Sequence, residues 1–452
     1  MLQILKFGGT SVADPQALAR SVAIINDQSL QNKGAQLVVV SAAAGVTNAL
    51  LAIADATTPA TISANKEFIY ERQQQFLAEL PKSTDYANWL AESLAPLFAE
   101  LDAAVACRGA ERDRLISLGE RFSARVVSAY LQHAGRYARY VAASSMLVTD
   151  NTFGHAEPDP AATRAAIQTV LAPELRNDNQ LVMVCEGFIG ATPAGEITTL
   201  GRGGSDYSAA LLAEALDADL VQIWTDVKGL YSTDPRIVPQ AQPLAELSFA
   251  QAAELATFGA KVLHPKTLWP AMRSDIPVFI GSTLDPSGGT TIRREVDSKE
   301  AFTALALRPN QTLLKITSPD MLYSYGFLAK TFAILAEHRI SVDLVTTSEI
   351  SVALTLDQRG SEQALSDQVL KALSALGKVE IKQNLALVAV VGASLNTQPQ
   401  VAATIFSALG DMNVRLICHG ASPHNLCVLV DDEQGPQAIV QLHQQLFRHL
   451  HT

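Results

Sequence analysis

Short apolar runs alternate with longer amphipathic stretches up to about residue 300 of the chain. This alternation is typical of α/β domains, in which helices flank a largely parallel, buried sheet. The predicted strands are Leu2–Leu5, Leu37–Val40, Leu181–Val184, Leu220–Trp224 and Ile276–Ile280. Residues 57–135 are mostly helical and interrupt the alternation, so we expect an insertion or lid there. A Pro/Gly turn at 285–289 is expected to close this part of the chain.

The first helix has a clear predicted start. Asp14 is a typical N-cap residue, and Pro15 suits the first helical position because its fixed φ matches a helix. Leu18, Val22 and Ile25 recur at helical spacing and form the predicted buried stripe.

The C-terminal part of the chain repeats itself. The stretch at 340–357 aligns without gaps on the stretch at 414–431. Each copy follows a predicted helix, Phe327–His338 or Val401–Leu409, and itself contains two strands around a turn. With a further strand before each helix, the pattern predicts two small βαββαβ units. The predicted domains are therefore 1–297, which is catalytic and includes the helical insertion, then 298–385 and 386–452.

Composition excludes several classes of function. The 452 residues carry a net charge of −11, which argues against nucleic-acid binding because that requires basic surfaces. Four cysteines without CxxC spacing favour a reducing cytoplasm over a disulfide framework. Neither a signal peptide nor a membrane span is expected, and no cluster has the spacing of metal ligands.

Candidate chemistry follows the predicted strands, because ligands of open α/β sheets bind outside the carboxyl ends of the strands. The first strand ends in Lys6, Phe7, Gly8 and Gly9, where glycines allow close approach to a phosphate and lysine supplies charge. This is not a Walker A loop, since the lysine comes first, and a plain turn would also explain it. Hydroxyl residues after the second strand, Ser41 to Thr47, suit a small polar substrate or a helix cap.

The stretch TTLGRGGSDYSAALLAEAL at 198–216 carries the strongest local signal. A flexible loop explains its glycines, and helix capping explains Ser205 or Asp206. Neither explains Arg202 between the glycines, which indicates a bidentate grip on a carboxylate. Further on, Lys261 could be a solvated charge, and His264 before a proline is interpreted as structural.

Four motifs, KFGGTSV, GRGGSDYSAALLAEAL, WTDVKGLYSTDPR and FGAKVLHP, occur in the order and spacing of the aspartokinases of the amino-acid kinase family. The chain resembles this family over essentially its whole length, and its repeated tail is similar to their paired ACT domains. The tail is most similar to that of the lysine-sensitive, monofunctional members. The resemblance implies an α/β amino-acid kinase fold with a mostly parallel central sheet, followed by two ferredoxin-like α+β ACT domains.

The implied reaction is phosphorylation of the β-carboxylate of L-aspartate by ATP with Mg²⁺. The resemblance gives Lys6 and Asp206 catalytic roles, with Asp206 as an organiser and no protein ligand for the metal. It places the substrate among Ser41, Thr47, Glu120, Arg202 and Ser205. It places the nucleotide among Lys6, Phe7, Gly8, Gly9, Thr225, Asp226, Tyr231, Arg236 and Lys261.

Regulation is expected from the first of the two repeated units. It carries carboxylates at Asp343 and Glu349 where the second copy has Ile417 and Pro423, which suits a cationic ligand such as lysine, although exposed acids could merely solvate a strand end. The resemblance implies L-lysine as inhibitor, bound among Met321, Ser324, Phe327, Leu328, Ser341, Asp343, Ser348 and Glu349. ACT sheets usually pair edge to edge, so a homodimer through the tails is expected, with a tetramer as a further state.

Two other functions remain open at this point. One is an amino-acid sensor with an inactive kinase domain, which loss of Lys6, Arg202, Asp206 or Lys261 would have favoured. The other is a kinase for glutamate or a nucleotide, which gives no reason for Arg202, Glu120 and the double tail together.

Overall fold

The computed structural model describes residues 1–32, 34–82, 84–178, 180–259, 265–296, 300–322, 325–356 and 365–447. The chain divides into two compact units. The first comprises Met1–Leu230, Pro243–Phe249 and Val262–Val296, and the second comprises Tyr231–Gln242, Ala250–Lys261 and Asp297–Thr452. Two short segments that the sequence places in the catalytic domain thus group with the C-terminal part of the chain.

The first unit is built on an eight-stranded sheet of order β3-β4-β2-β1-β7-β9-β10-β8. Its strands are β1 (Gln3–Phe7), β2 (Gln36–Val40), β3 (Ala138–Tyr140), β4 (Val182–Glu186), β7 (Leu220–Thr225), β8 (Glu246–Ser248), β9 (Val278–Ser282) and β10 (Gly289–Arg293). All neighbours are parallel except β9 and β10. The five predicted strands are confirmed, but the turn at 285–289 does not end the unit, because β10 follows it and pairs with β9.

A small separate hairpin, β5 (Ile189–Ala191) with β6 (Ile197–Thr199), lies between β4 and the next helix. The helices of this unit are α1 (Pro15–Asn32), α2 (Val46–Ala54), α3 (Pro59–Glu79), α4 (Asp85–Ala103), α5 (Gly109–His133), α6 (Pro160–Val170), α7 (Ala172–Asn177), α8 (Gly204–Leu216) and α10 (Pro265–Arg273). Helix α9 (Phe249–Phe258) begins at the last residue of a segment of the first unit, and its other residues belong to the second unit. As predicted, Asp14 accepts a hydrogen bond from Ala17 N–H (2.9 Å) at the start of α1.

The predicted helical insertion consists of α3, α4 and α5, and its apolar side chains join the main core of the first unit. Leu90, Leu94, Leu97 and Leu101 recur along one side of α4 and are fully buried. Burial of each leucine contributes about 1.5–3 kcal/mol, so this packing fixes α4 against α5. Helix α5 is consequently a rigid element.

The second unit contains a six-stranded antiparallel sheet of order β12-β13-β11-β14-β16-β15. Its strands are β11 (Phe302–Thr317), β12 (Val342–Thr347), β13 (Ser351–Leu356), β14 (Lys378–Gly392), β15 (Leu416–His419) and β16 (Asn425–Asp431), and its helices are α11 (Phe327–Glu337), α12 (Asp367–Ser374), α13 (Val401–Leu409) and α14 (Gly435–Leu446). Both repeated units are therefore present, each with two strands against its own helices.

The two motifs are interlaced, which corrects the linear succession expected from the repeat. The second motif continues from the latter half of β14 through α14, but its fourth strand is the stretch 302–308 of β11, which pairs with 387–392. The first motif uses the other halves, with 313–317 of β11 paired to 378–382 of β14. The first motif is thus inserted within the second. No helix in the described ranges is long and apolar enough to cross a membrane.

Candidate active site

The loops after β1, β2 and β7 meet at the carboxyl edge of the parallel sheet, around a cavity of about 570 Å³. Gly8 N–H donates to the carbonyl oxygen of Trp224 (3.0 Å), which joins the β1 loop to the end of β7. A Cβ atom on Gly9 would lie 2.7 Å from the carbonyl oxygen of Ala42. Because real Cβ contacts are not that short, only glycine allows the first two loops to approach so closely.

Lys6 and Asp206 form an ion pair inside this cavity, with side chains only 9% and 15% exposed. Lys6 is the last residue but one of β1, and Asp206 lies in the first turn of α8. Gly203 precedes this helix with a φ of 72°, a left-handed conformation that turns the chain sharply into the helix. The exposed N–H groups and dipole of a helix N-terminus favour anions, so the cavity combines a cation with an anion-binding helix end.

Glu120 presents a buried carboxylate to the same cavity from α5. Its Oε1 accepts a hydrogen bond from Ala42 N–H (3.1 Å), and one turn on, Ser123 Oγ accepts from Ala43 N–H (3.1 Å). Its Oε2 is buried and has no hydrogen-bond partner in the described part of the chain. Burial raises the pKa of Glu120 to about 8, assisted by the negative charge of Glu186. A ligand ammonium group would satisfy this oxygen and favour its ionised form.

Arg202 lines the cavity on an exposed loop between Gly201 and Gly203, whose φ angles are 76° and 72°. A guanidinium offers two parallel N–H donors to a carboxylate. The cavity therefore combines a buried carboxylate at Glu120 that can accept an ammonium group, a guanidinium at Arg202 that can bind a carboxylate, and the Lys6 charge with the β1 loop, which suits phosphate.

Most of the residues predicted to bind substrate or nucleotide or to take part in catalysis line this one cavity. They are Lys6, Gly8, Gly9, Ser41, Thr47, Glu120, Arg202, Ser205, Asp206, Thr225 and Asp226. Phe7 does not, because its side chain is fully buried in the core and only its carbonyl oxygen contributes, by accepting Ser41 N–H (3.1 Å). Tyr231 and Arg236 belong to the second unit, where Arg236 pairs with Asp234 (2.6 Å). Lys261 and His264 lie outside the described residues.

Sequence reasoning missed several lining residues, which are Thr10, Ala42, Ala43, Ala44, Gly45, Asn48, Phe188, Gly201, Gly203 and Gly204. Phe188 has a φ of 67°, unusual for an aromatic residue, and donates its N–H to Ser208 Oγ (3.0 Å). It lies two residues after the end of β4, so the rule on strand ends could have found it. Residues 42–45 are alanines and a glycine, so their side chains give no indication of a binding site.

The residues predicted to bind lysine lie in the first motif of the second unit. Asp343 forms an ion pair with Arg308 (Nη1 to Oδ2, 3.0 Å), at a register shift in β12. Ser348 closes the β12–β13 turn through its Oγ, which lies 2.8 Å from Ser351 Oγ. Phe327 packs in the apolar core of this motif with Met321 at its margin. Leu328, Ser341 and Glu349 are exposed, and Ser324 lies outside the described residues.

Comparison with protein families gives two matches. Residues 1–282 match the amino acid kinase family, and residues 388–446 match an ACT domain. Among curated proteins, "Lysine-sensitive aspartokinase 3" of Escherichia coli K12 is 46% identical over 98% of this chain and 99% of the relative. "Aspartokinase 3, chloroplastic" of Arabidopsis thaliana is 34% identical over 98% of this chain and 81% of the relative.

Solved structures are similar over nearly the whole chain. E. coli aspartokinase III in complex with aspartate and ADP, described as the R-state, has a TM-score of 0.87, covering 99% of this chain and 100% of that one. The same enzyme in complex with lysine and aspartate, described as the T-state, has a TM-score of 0.80 and covers 99% of each chain. Both are 46% identical in sequence to this chain.

Proposed function

The chain belongs to the aspartokinases of the amino acid kinase family, and from this premise we propose that it transfers the γ-phosphoryl group of ATP to the β-carboxylate of L-aspartate. The products are 4-phospho-L-aspartate and ADP, the first step toward lysine, threonine and methionine. One observation carries the proposal: a single cavity holds the Lys6–Asp206 pair, the unpartnered oxygen of Glu120 and Arg202.

The chemistry requires positioning more than proton transfer. The reacting β-carboxylate has a reference pKa of about 3.9 and is already ionised at neutral pH, so no strong base is needed. The difficulty is the approach of one anion to another, which a fixed cation and backbone N–H groups relieve. Lys6 with the Gly8–Gly9 backbone stabilises charge on the transferring phosphoryl group. Asp206 orients Lys6 through the ion pair.

The substrate backbone is held at its two charged ends. Glu120 pairs with the α-ammonium through Oε2, because its Oε1 is occupied by Ala42 N–H. Arg202 grips the α-carboxylate. The hydroxyl groups of Ser41, Thr47 and Ser205, which line the same cavity, complete the site.

ATP is held from the loops after β1 and β7. Thr225 and Asp226 line the cavity, and Thr225 Oγ1 donates to Asp226 Oδ1 (3.1 Å). Tyr231, Arg236 and Lys261 complete the proposed nucleotide set, with Phe7 contributing its main chain. Mg²⁺ would come with the nucleotide, because it characteristically binds phosphate oxygens and water. When bound, Mg²⁺ would neutralise part of the negative charge of the phosphate groups.

L-lysine inhibits by binding to the first ACT motif, near Asp343 and Glu349. The E. coli relative crystallised with lysine supports lysine as the ligand, and the charge of Asp343 and Glu349 supports the location. A homodimer through the ACT sheets is part of the proposal, supported by the exposed apolar Val345 and Ile417 on the edge strands β12 and β15. The cysteine usage supports a cytoplasmic location.

The test is ATP- and aspartate-dependent acyl-phosphate formation by the full-length protein with Mg²⁺, trapped as the hydroxamate. Lysine, threonine and methionine are titrated separately. We expect activity that lysine alone suppresses. Activity indifferent to lysine would keep the kinase and overturn the inhibitor assignment. Absence of activity in folded protein would contradict the kinase and favour an amino-acid sensor.

A further inference from the structure

Asp113 is a buried carboxylate that the proposed reaction does not use. It lies near the start of α5, it is only 1% exposed, and it does not line the cavity. Its Oδ2 accepts two backbone hydrogen bonds, from Thr199 N–H (2.7 Å) and from Gly154 N–H (2.9 Å). Hydrogen bonds to a carboxylate are stronger than those between neutral groups, so the two amides are held firmly.

One of these amides, that of Thr199, lies just before the Arg202 loop, and the other, that of Gly154, lies in a segment on which the loop packs. Thr199 ends β6, just before the loop, and its carbonyl oxygen also accepts Ala156 N–H (2.9 Å). A Cβ atom on Gly201 would lie 2.5 Å from His155 Nδ1 and 3.2 Å from the carbonyl oxygen of Gly154. The loop therefore packs directly on the segment that Asp113 ties to β6. Its flanking glycines have little conformational preference of their own, so such anchors decide where Arg202 lies.

Helix α5 links this anchor to the ammonium site. Asp113 and Glu120 are two helical turns apart, which places them on the same side of the helix with a rise of about 10 Å. Glu120 enters the cavity directly, whereas Asp113 holds the loop that carries Arg202. One rigid helix thus sets the separation between the site for an ammonium and the site for a carboxylate.

We propose that Asp113 is a positioning residue that sets the affinity for the α-carboxylate of the amino-acid substrate by holding the Arg202 loop at a fixed distance from Glu120. The proposal rests on the proposed function, in which Arg202 grips that carboxylate. A purely structural Asp113 would stabilise the fold without affecting aspartate binding, so the two roles are separated by kinetics and by direct binding.

The experiment compares Asp113→Ala with wild type in the full-length protein. We expect KM for aspartate to rise about tenfold, as does the dissociation constant measured by calorimetry, because loss of the two hydrogen bonds frees the loop. The values of kcat and of KM for ATP should stay within about twofold, since the reacting groups are untouched. Asp113→Asn, which keeps one acceptor oxygen, should fold more readily and raise KM for aspartate less.

Asp159→Ala is the matched control. Asp159 Oδ1 also accepts two backbone N–H groups, from Ala161 (2.9 Å) and Ala162 (3.0 Å), but it caps α6 and does not line the cavity. This variant should lose thermal stability and keep wild-type KM for aspartate. If Asp113→Ala and Asp113→Asn, like Asp159→Ala, lose thermal stability but keep the wild-type KM for aspartate, Asp113 is structural and the proposal is overturned.

The double variant Asp113→Ala/Arg202→Ala tests the route of the effect. If Asp113 acts through Arg202, its loss should raise KM by less than about twofold in the Arg202→Ala background, because neighbours that act together are not additive. An equal rise in both backgrounds would overturn the proposal while leaving the kinase assignment intact. If Arg202→Ala alone leaves KM for aspartate unchanged, the carboxylate assignment of the proposed function fails, and this inference with it.

Discussion

Both units contain a mostly buried ion pair between a basic residue and an aspartate, but the two pairs have different surroundings. Lys6 and Asp206 face an open cavity at the carboxyl ends of parallel strands. Arg308 and Asp343, 17% and 16% exposed, lie where β11 and β12 depart from regular pairing in an antiparallel sheet. A parallel sheet brings the carboxyl ends of all its strands to one edge, so the loops that follow them can surround a substrate. In an antiparallel sheet the carboxyl ends of neighbouring strands lie at opposite edges.

The difference suggests separate duties: turnover in the first unit and inhibition in the second. The two copies of the repeat also differ in their match to the ACT family, since the match covers 388–446, in the second motif. The first motif carries the charged pair and a strand, β12, in which Leu344 is the one buried residue of six. We therefore expect substitutions in one unit to leave the other unit's property unchanged.

The largest expected effect is that of Lys6→Ala. It removes the charge that stabilises the transferring phosphoryl group, so kcat should fall by roughly 10³-fold with a modest change in KM. Hydroxamate formation measures this. Lysine binding, followed by calorimetry, should be unchanged. The control is Lys266→Ala, which removes a surface lysine paired with Glu157 (2.7 Å), and unchanged turnover in Lys6→Ala would refute the role given to Lys6.

Arg202→Ala should raise KM for aspartate by about 100-fold, because it removes a charge-assisted bidentate pair with the substrate carboxylate. Arg202→Lys keeps the charge but loses the bidentate guanidinium, so its KM for aspartate should lie between those of wild type and Arg202→Ala. Initial rates at varied aspartate and saturating ATP measure the effect. Equal KM values for the lysine variant and wild type would show that charge alone suffices.

In the second unit, Asp343→Ala should raise the lysine concentration for half-inhibition by about 30-fold, since it removes a mostly buried charge partner. Basal kcat should stay within about twofold. Asp411→Ala removes an exposed carboxylate of the second motif and serves as control. Lysine inhibition that persists unchanged in Asp343→Ala would place the inhibitor elsewhere.

The smallest expected effect concerns pH. Because the pKa of Glu120 is raised to about 8, the free site holds a protonated carboxyl at pH 7, whereas binding of an ammonium favours the carboxylate. KM for aspartate should therefore fall as pH rises, by about fivefold between pH 7 and 8, with Lys6 and Glu186 as the opposing nearby charges. Glu120→Gln should show a flat profile at higher KM. A flat wild-type profile would contradict the assignment.

Features that depend on residues close together in sequence were predicted more accurately than those that depend on distant contacts. The cap at Asp14 and the helix Val401–Leu409 depend on neighbouring residues, and both are present as predicted. The five strands predicted in the first unit were placed to within two residues, since continuous apolar runs identify buried parallel strands. The hairpin β5–β6 was missed because its strands are only three residues long. Asp113 was missed because its importance depends on partners that are distant in sequence.

The sequence by itself determined the parallel α/β unit, the repeated tail and the residue types at the strand ends, because periodicity and glycine placement are local properties of the chain. Only the tertiary structure decided that β11 and β14 each serve both motifs, and that 231–242 groups with the second unit. It also decided which oxygen of Glu120 is left for a ligand. These depend on contacts between residues far apart in sequence, for which hydrophobic periodicity carries no information.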